Sequence, residues 1–147
     1  MNDHVPKSRG EVDKQLAFAL YGAASRMARM HKPHLEPLGL TFPQYLVMLE
    51  LLDVAPVSVG ELGGRVGMDT GTITPLVKRL QASSLVTRTR DTVDERRVLV
   101  DLTAEGRALD VEIRGVAGKI TSACKLTDDN VDELRRSLEN LAGGVSG

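Results

Sequence analysis

In the middle of the chain, apolar residues recur with a helical period. Ile73, Leu76, Val77 and Leu80 stand at i, i+3, i+4 and i+7, forming one stripe that must face a core. Asp69 follows the short turn Val66, Gly67, Met68 and is placed to accept from the first free backbone N–H groups of that helix. At about 100° per residue, the opposite face carries Gly71, Thr72, Thr74, Pro75, Lys78, Arg79 and Ala82. Pro75 removes one backbone donor, which predicts a departure from regular helix after the first turns. Beyond the helix the pattern shortens. Leu85, Val86, Thr87, Arg88, Thr89, Arg90 and then Val98, Leu99, Val100, Asp101, Leu102 are β-branched, alternating or apolar runs that bracket the polar stretch 91–97. The order predicted is helix, strand, charged tip, strand.

Helical patterns also flank this segment. A long helix is predicted over about 11–32 and a shorter one over 58–66. Leu109, Ile113, Val116 and Ile120 rise in steps of four, three and four, a heptad-like seam. After Lys125 and Leu126, Thr127 caps a further helix in which Val131, Leu134, Leu138 and Leu141 repeat that alternation. A lobe this small is not expected to cover both seams and the N-terminal helix, so burial against a second copy is expected. The alternative is packing within one chain into an all-α bundle.

The exposed face of the 69–83 helix suits a groove. Small residues near its start let the backbone approach base edges, the hydroxyls can bond bases or phosphates, and Lys78 and Arg79 can neutralise phosphates. Alone it is an ordinary amphipathic surface helix, and a lone hairpin with mixed charges is an ordinary solvated one. In succession, 58–66, 69–83 and 85–102 form the order of a winged helix-turn-helix, with one helix in the major groove and an Arg-bearing wing beside it. The candidate DNA-binding residues are Thr70, Gly71, Thr72, Thr74, Lys78 and Arg79 on the helix, with Arg88, Arg90, Asp94, Arg96 and Arg97 on the hairpin. Asp94 and Glu95 are close enough in sequence to hold a guanidinium in a fixed orientation.

Composition agrees. With 147 residues and 41% hydrophobic content, the chain can bury one single-domain core. A formal net charge of −1 hides local segregation. Between positions 65 and 97, Arg65, Lys78, Arg79, Arg88, Arg90, Arg96 and Arg97 outnumber Asp69, Asp91, Asp94 and Glu95 by three. Near-neutral overall charge argues against a non-specific polyanion binder and for a few well-placed contacts to double-stranded DNA, as a homodimer on a pseudo-palindromic site. No apolar run approaches the roughly 20 residues that span a bilayer, and residues 1–10 lack the apolar core of an export signal, so a cytoplasmic protein is expected.

Catalytic and metal chemistry lack their residues. Cys124 is alone, which excludes an intrachain disulfide, a paired-cysteine redox motif and a cysteine-rich zinc site. His4 lies in a tail expected to be disordered. His31 and His34 have only Glu36 nearby as a further ligand, too few for a metal site. No histidine stands in a nucleophile context and no phosphate-cradling glycine loop follows a strand, so neither an enzyme nor a cofactor is expected. A hydrolase assisted by His31 would lack its nucleophile.

The helix, the run from Asp94 through Glu95, Arg96, Arg97, Val98, Leu99, Val100, Asp101 and Leu102 to Thr103, and Thr103, Ala104, Glu105, Gly106 opening the next helix resemble the MarR family of bacterial transcription regulators. That resemblance implies a mainly α fold with a small β-hairpin wing. It implies one domain over 1–147, with a winged helix-turn-helix lobe at 43–102 and dimerisation helices at 11–32 and 103–142. It makes Arg96 the minor-groove arginine and Asp94 its orienting carboxylate.

The stretch from Gln15 through Leu16, Ala17, Phe18, Ala19 and Leu20 to Tyr21, the triplet His31, Lys32, Pro33, and the run from Leu38 to Leu46 are similar to the organic-hydroperoxide-sensing, OhrR-like branch. In that branch a peroxidatic cysteine follows the Gln-Leu pair and two tyrosines bond its sulfur. Here Ala17 stands for the cysteine, and His31 and Phe42 for the tyrosines. A thiol sensor needs its thiolate, so peroxide sensing by that route is excluded. A single engineered replacement would account for Ala17 but not for His31 and Phe42. The space left by Ala17, with Phe18, Tyr21, His31, Phe42 and Tyr45, is a candidate effector pocket for a small organic molecule; a packed dimer core is the plainer alternative. Positions 17 and 31 lie about 21 Å apart along one helix, so they share a site only across a dimer. Cys124 is a small hydrophobe or, paired across subunits, a redox residue.

The expected function is a dimeric sequence-specific regulator of transcription, a repressor released by a small-molecule or redox signal. The alternative is a winged-helix protein-interaction module that does not bind DNA.

Overall fold

The structure, a computed structural model, describes residues 8–124 and 126–143. The expectation for the tail bearing His4 and the place of Lys125 lie outside the described residues. The chain runs α1 (Arg9–Leu35), a 3-10 turn (Glu36–Leu38), α2 (Phe42–Val54), β1 (Val57–Ser58), α3 (Val59–Val66), α4 (Thr70–Ala82), β2 (Val86–Arg90), β3 (Val98–Leu102), α5 (Ala104–Ala108), α6 (Asp110–Cys124) and α7 (Asp128–Gly143). It is mainly helical with one small sheet.

Helix starts follow their caps. Ser8 Oγ accepts from Glu11 N at 3.3 Å, so α1 begins ahead of the predicted 11–32 and continues past Pro33. At α2, Thr41 Oγ1 accepts from Gln44 N at 3.3 Å while Gln44 Oε1 accepts from Thr41 N at 3.0 Å, a reciprocal box. Gly67 ends α3 at φ +70, a left-handed conformation that glycine adopts without a Cβ clash. That turn sets α4 across α3. Pro75 lies inside α4 and does not end it: the helix runs from Thr70 to Ala82, with the buried stripe Ile73, Leu76, Val77 and Leu80 on both sides of the lost donor.

The wing belongs to a three-stranded antiparallel sheet in the order β1-β3-β2. Val86 pairs with Leu102 and Arg90 with Val98, while Val57 and Ser58 pair with Val100 and Leu99. β1 lies immediately ahead of α3, so the sheet ties the base of the wing to the helix-turn-helix.

One core joins all these pieces. It contains Leu35 at the end of α1, Tyr45, Met48 and Leu51 of α2, Leu62 of α3, the α4 stripe, and Val86, Val100 and Leu102 of the sheet. Ile113, Val116 and Ile120 of α6 are buried in the same cluster. The expectation that the 109–120 seam needs a second chain is corrected: α6 lies against α1 and α2 and covers its stripe there. The α7 stripe differs: Leu134, Leu138 and Leu141 are exposed. Among the described residues no helix is long and apolar enough to cross a membrane.

Candidate nucleic-acid interface

α4 presents the face that its period dictates. Asp69 Oδ1 accepts from Thr72 N at 2.9 Å and starts the helix. Ile73, Leu76, Val77 and Leu80 are buried. Thr70, Gly71, Thr72, Pro75, Lys78 and Arg79 are exposed, and Thr74 is half-buried. An open strip of hydroxyls, a bare backbone and two cations therefore lines one side of the lobe.

The wing holds its arginines by different partners. Arg96 Nε donates to Asp94 Oδ1 at 3.1 Å, and its Nη2 lies 3.5 Å from Oδ2. Arg96 N donates to Asp94 Oδ1 at 3.1 Å, so one carboxylate fixes backbone and side chain together. That guanidinium holds Asp94 below its ordinary value of 3.8, with the backbone N–H and Arg97 helping. The Arg96 side chain is 91% exposed, so it is aimed at solvent while its orientation is restrained. Arg90 Nη1 donates to the Glu95 backbone carbonyl at 2.8 Å, closing the hairpin tip; it is the carbonyl of Glu95, not its carboxylate, that holds a guanidinium. Arg88 Nε donates to Gln81 Oε1 at 2.8 Å, linking β2 to α4. Arg97 forms ion pairs with Glu61 at 3.5 Å and Asp91 at 3.7 Å.

A cleft of about 360 Å³ gathers these pieces. It is lined by Ser58, Val59 and Gly60 at the start of α3, Thr70 and Thr74 of α4, and Arg88, Arg96, Arg97 and Val98 of the wing. Of the candidate DNA contacts, Thr70, Thr74, Arg88, Arg96 and Arg97 thus share one concavity. Gly71, Thr72, Lys78 and Arg79 are exposed on α4 outside that lining, while Arg90 and Asp94 work within the wing tip. Residues 58–60, Gln81 and Glu61 were missed by sequence reasoning. The start of α3 agrees with the predicted 58–66, with Ser58 Oγ accepting from Glu61 N at 3.2 Å as its cap; what the sequence does not signal is that this first turn borders the cleft, which the pairing of β1 with β3 decides.

The candidate effector residues divide into two groups. His31, Phe42 and Tyr45 form a cluster with ring centroids 4.5 Å apart for His31 and Phe42 and 5.4 Å for His31 and Tyr45. His31 is buried, with Nδ1 and the Met27 carbonyl oxygen 2.7 Å apart. Burial raises the Tyr45 hydroxyl above its ordinary value. Ala17, Phe18 and Tyr21 are exposed on α1, about 15 to 21 Å further up its axis at 1.5 Å per residue. One chain therefore does not bring the six residues together. Cys124 is half-buried, its sulfur 4.0 Å from that of Met30.

Comparison with known proteins agrees with this geometry. Residues 29–113 match the family described as transcriptional regulator SarA/Rot. The organic hydroperoxide resistance transcriptional regulator of Bacillus subtilis (strain 168) is 34% identical over 131 residues, 89% of this chain and 89% of that protein. The HTH-type transcriptional regulator TtmR of Methylorubrum extorquens (strain PA1) is 43% identical over 131 residues, 89% of this chain and 66% of TtmR. Among solved structures, reduced AbfR bound to DNA superposes with a TM-score of 0.76 at 26% identity, over 92% of this chain and 99% of its own; AbfR comes from Staphylococcus epidermidis. With its fold, its wing and its helix-turn-helix in common with these regulators, the chain belongs to the SarA/Rot family of transcriptional regulators, the winged-helix, MarR-like group.

Proposed function

We propose that this chain is a homodimeric, sequence-specific DNA-binding repressor of transcription, working in the cytoplasm without catalytic activity, and that a small organic molecule releases it. The observation that carries the reading is the alignment of the open α4 face with the Asp94-oriented Arg96 across one basic cleft. α4 enters the major groove, and Arg96 reaches the flanking minor groove, where its charge meets a strong negative potential. Lys78, Arg79 and Arg88 take phosphates, and the hydroxyls of Thr70, Thr72 and Thr74 meet base edges or backbone. The DNA-bound AbfR structure, on which this chain superposes, supports DNA binding over a winged-helix module that leaves DNA alone.

The dimer is supported by apolar surface that one chain leaves uncovered. Val131, Leu134, Leu138 and Leu141 of α7 and Val12, Leu16, Phe18 and Tyr21 of α1 are all exposed, more than isolated surface apolar residues account for. A second copy buries them and sets two reading heads at a fixed spacing. It also brings Ala17, Phe18 and Tyr21 of one copy towards the His31, Phe42 and Tyr45 cluster of the other. A ligand seated there regulates by favouring one spacing of the heads over another.

The test is Arg96→Ala, assayed by fluorescence anisotropy on a duplex that the wild-type protein has selected from a random-sequence pool. Affinity should fall by about 5- to 150-fold, with the dimer intact by light scattering. Selection of no duplex by the wild type, or unchanged affinity in the variant, overturns the reading.

A further inference from the structure

Arg97 differs from the other wing cations. Arg96 is 91% exposed and held from one side, whereas the Arg97 side chain is 45% exposed between two carboxylates on different elements. Asp91, only 15% exposed, stands across the hairpin, and Asp91 N donates to the Arg97 carbonyl at 2.9 Å. Glu61 sits in the first turn of α3. The sheet ties only the base of the wing to α3, since β1 ends its pairing at Ser58 and Leu99. Beyond Val98, among the described residues, the ion pair that joins the wing tip to the helix-turn-helix is Arg97 with Glu61.

We propose that Arg97 is a positioning residue: shared between Glu61 and Asp91, it latches the wing tip to α3 and sets how far Arg96 stands from the recognition helix α4. This rests on the DNA-binding reading above and deepens it, because it removes Arg97 from the phosphate contacts. A guanidinium occupied by two carboxylates brings little net charge to a phosphate, whereas the angle it fixes decides whether α4 and Arg96 reach neighbouring grooves together.

The two roles give opposite signs at Glu61. If Arg97 serves DNA directly, Glu61 is a repulsive charge beside the cleft, and Glu61→Gln tightens binding. If Arg97 is a latch, Glu61→Gln frees the wing and weakens binding.

The experiment uses full-length Glu61→Gln, Arg97→Gln and the double variant on the selected duplex, across a series of KCl concentrations, with circular dichroism to check folding. Each single variant should bind about two- to fivefold more weakly, the range of an exposed ion pair. The double variant should be no weaker than the weaker single one, because both remove the same tie. The slope of log affinity against log salt should be unchanged in Arg97→Gln. Tighter binding by Glu61→Gln, additive losses, or a slope smaller by about 0.9, the mark of one lost phosphate contact, overturns the latch while leaving DNA binding in place. Failure of the wild type to select a duplex overturns the DNA-binding reading itself.

Discussion

Replacing Gly106 with Ala should destabilise the protein, although alanine is the better helix former. Gly106 lies in α5, where that helix crosses the turn after α4. A Cβ there would stand 2.2 Å from the Leu85 carbonyl oxygen, 3.2 Å from its carbon and 3.3 Å from Leu102 Cδ2. Non-bonded carbon atoms pack best at about 3.5–4.0 Å, so the Leu85 carbonyl must retreat by on the order of 1 Å. It is not free to do so: it accepts from Thr103 N at 3.1 Å, while Leu85 N donates to Leu80 O at 3.0 Å. Overpacking of this kind costs about 1–3 kcal/mol, and losing the Thr103 hydrogen bond adds about 1 kcal/mol. The higher helix propensity of alanine offsets about 1 kcal/mol. The net loss of about 1–3 kcal/mol corresponds to a fall in Tm of roughly 2–12 °C for a chain of this size. Gly115 of α6, where an added Cβ would meet nothing within 4 Å, provides the opposite sign: Gly115→Ala should stabilise by about 0.4–1 kcal/mol. Thermal and urea melts followed by circular dichroism decide the matter, at one fixed protein concentration because dimerisation makes Tm depend on it. A Gly106→Ala protein that melts at or above the wild type refutes the reasoning, since the backbone would then yield at no cost.

Two further outcomes test the interfaces. Leu134→Asp removes a side chain from the uncovered α7 stripe; at about 1.5–3 kcal/mol per buried leucine, dimer dissociation should rise at least about tenfold, read by analytical ultracentrifugation, and unchanged association would place the interface elsewhere. Asp94 is held low mainly by the Arg96 guanidinium, so the pair is intact at neutral pH and is lost as pH falls below the ordinary carboxylate range through the lowered value. NMR titration should find the Asp94 midpoint below 3.8 and find it raised in Arg96→Ala; an identical midpoint in both proteins contradicts the pairing.

Much of the interface was legible because its signals are local. The α4 stripe, the Asp69 cap and the Asp94–Arg96 pair each lie within a few residues, where helical period and hairpin geometry act directly. β1 was not legible: two residues carry no periodicity, and they form a strand only because β3 is there to pair with them. Arg97 looked like one more wing cation, since nothing near it in sequence announces Glu61.

The sequence by itself determined where α4, α7 and the two wing strands begin, which face of α4, α6 and α7 is apolar, and that position 17 has no thiol. It could not decide what covers an apolar face. The seams of α6 and α7 share one spacing, yet Ile113, Val116 and Ile120 are buried within the chain while Leu134, Leu138 and Leu141 are not. Periodicity follows from the geometry of one helix, whereas burial depends on which distant elements arrive beside it, and tertiary packing alone decided that.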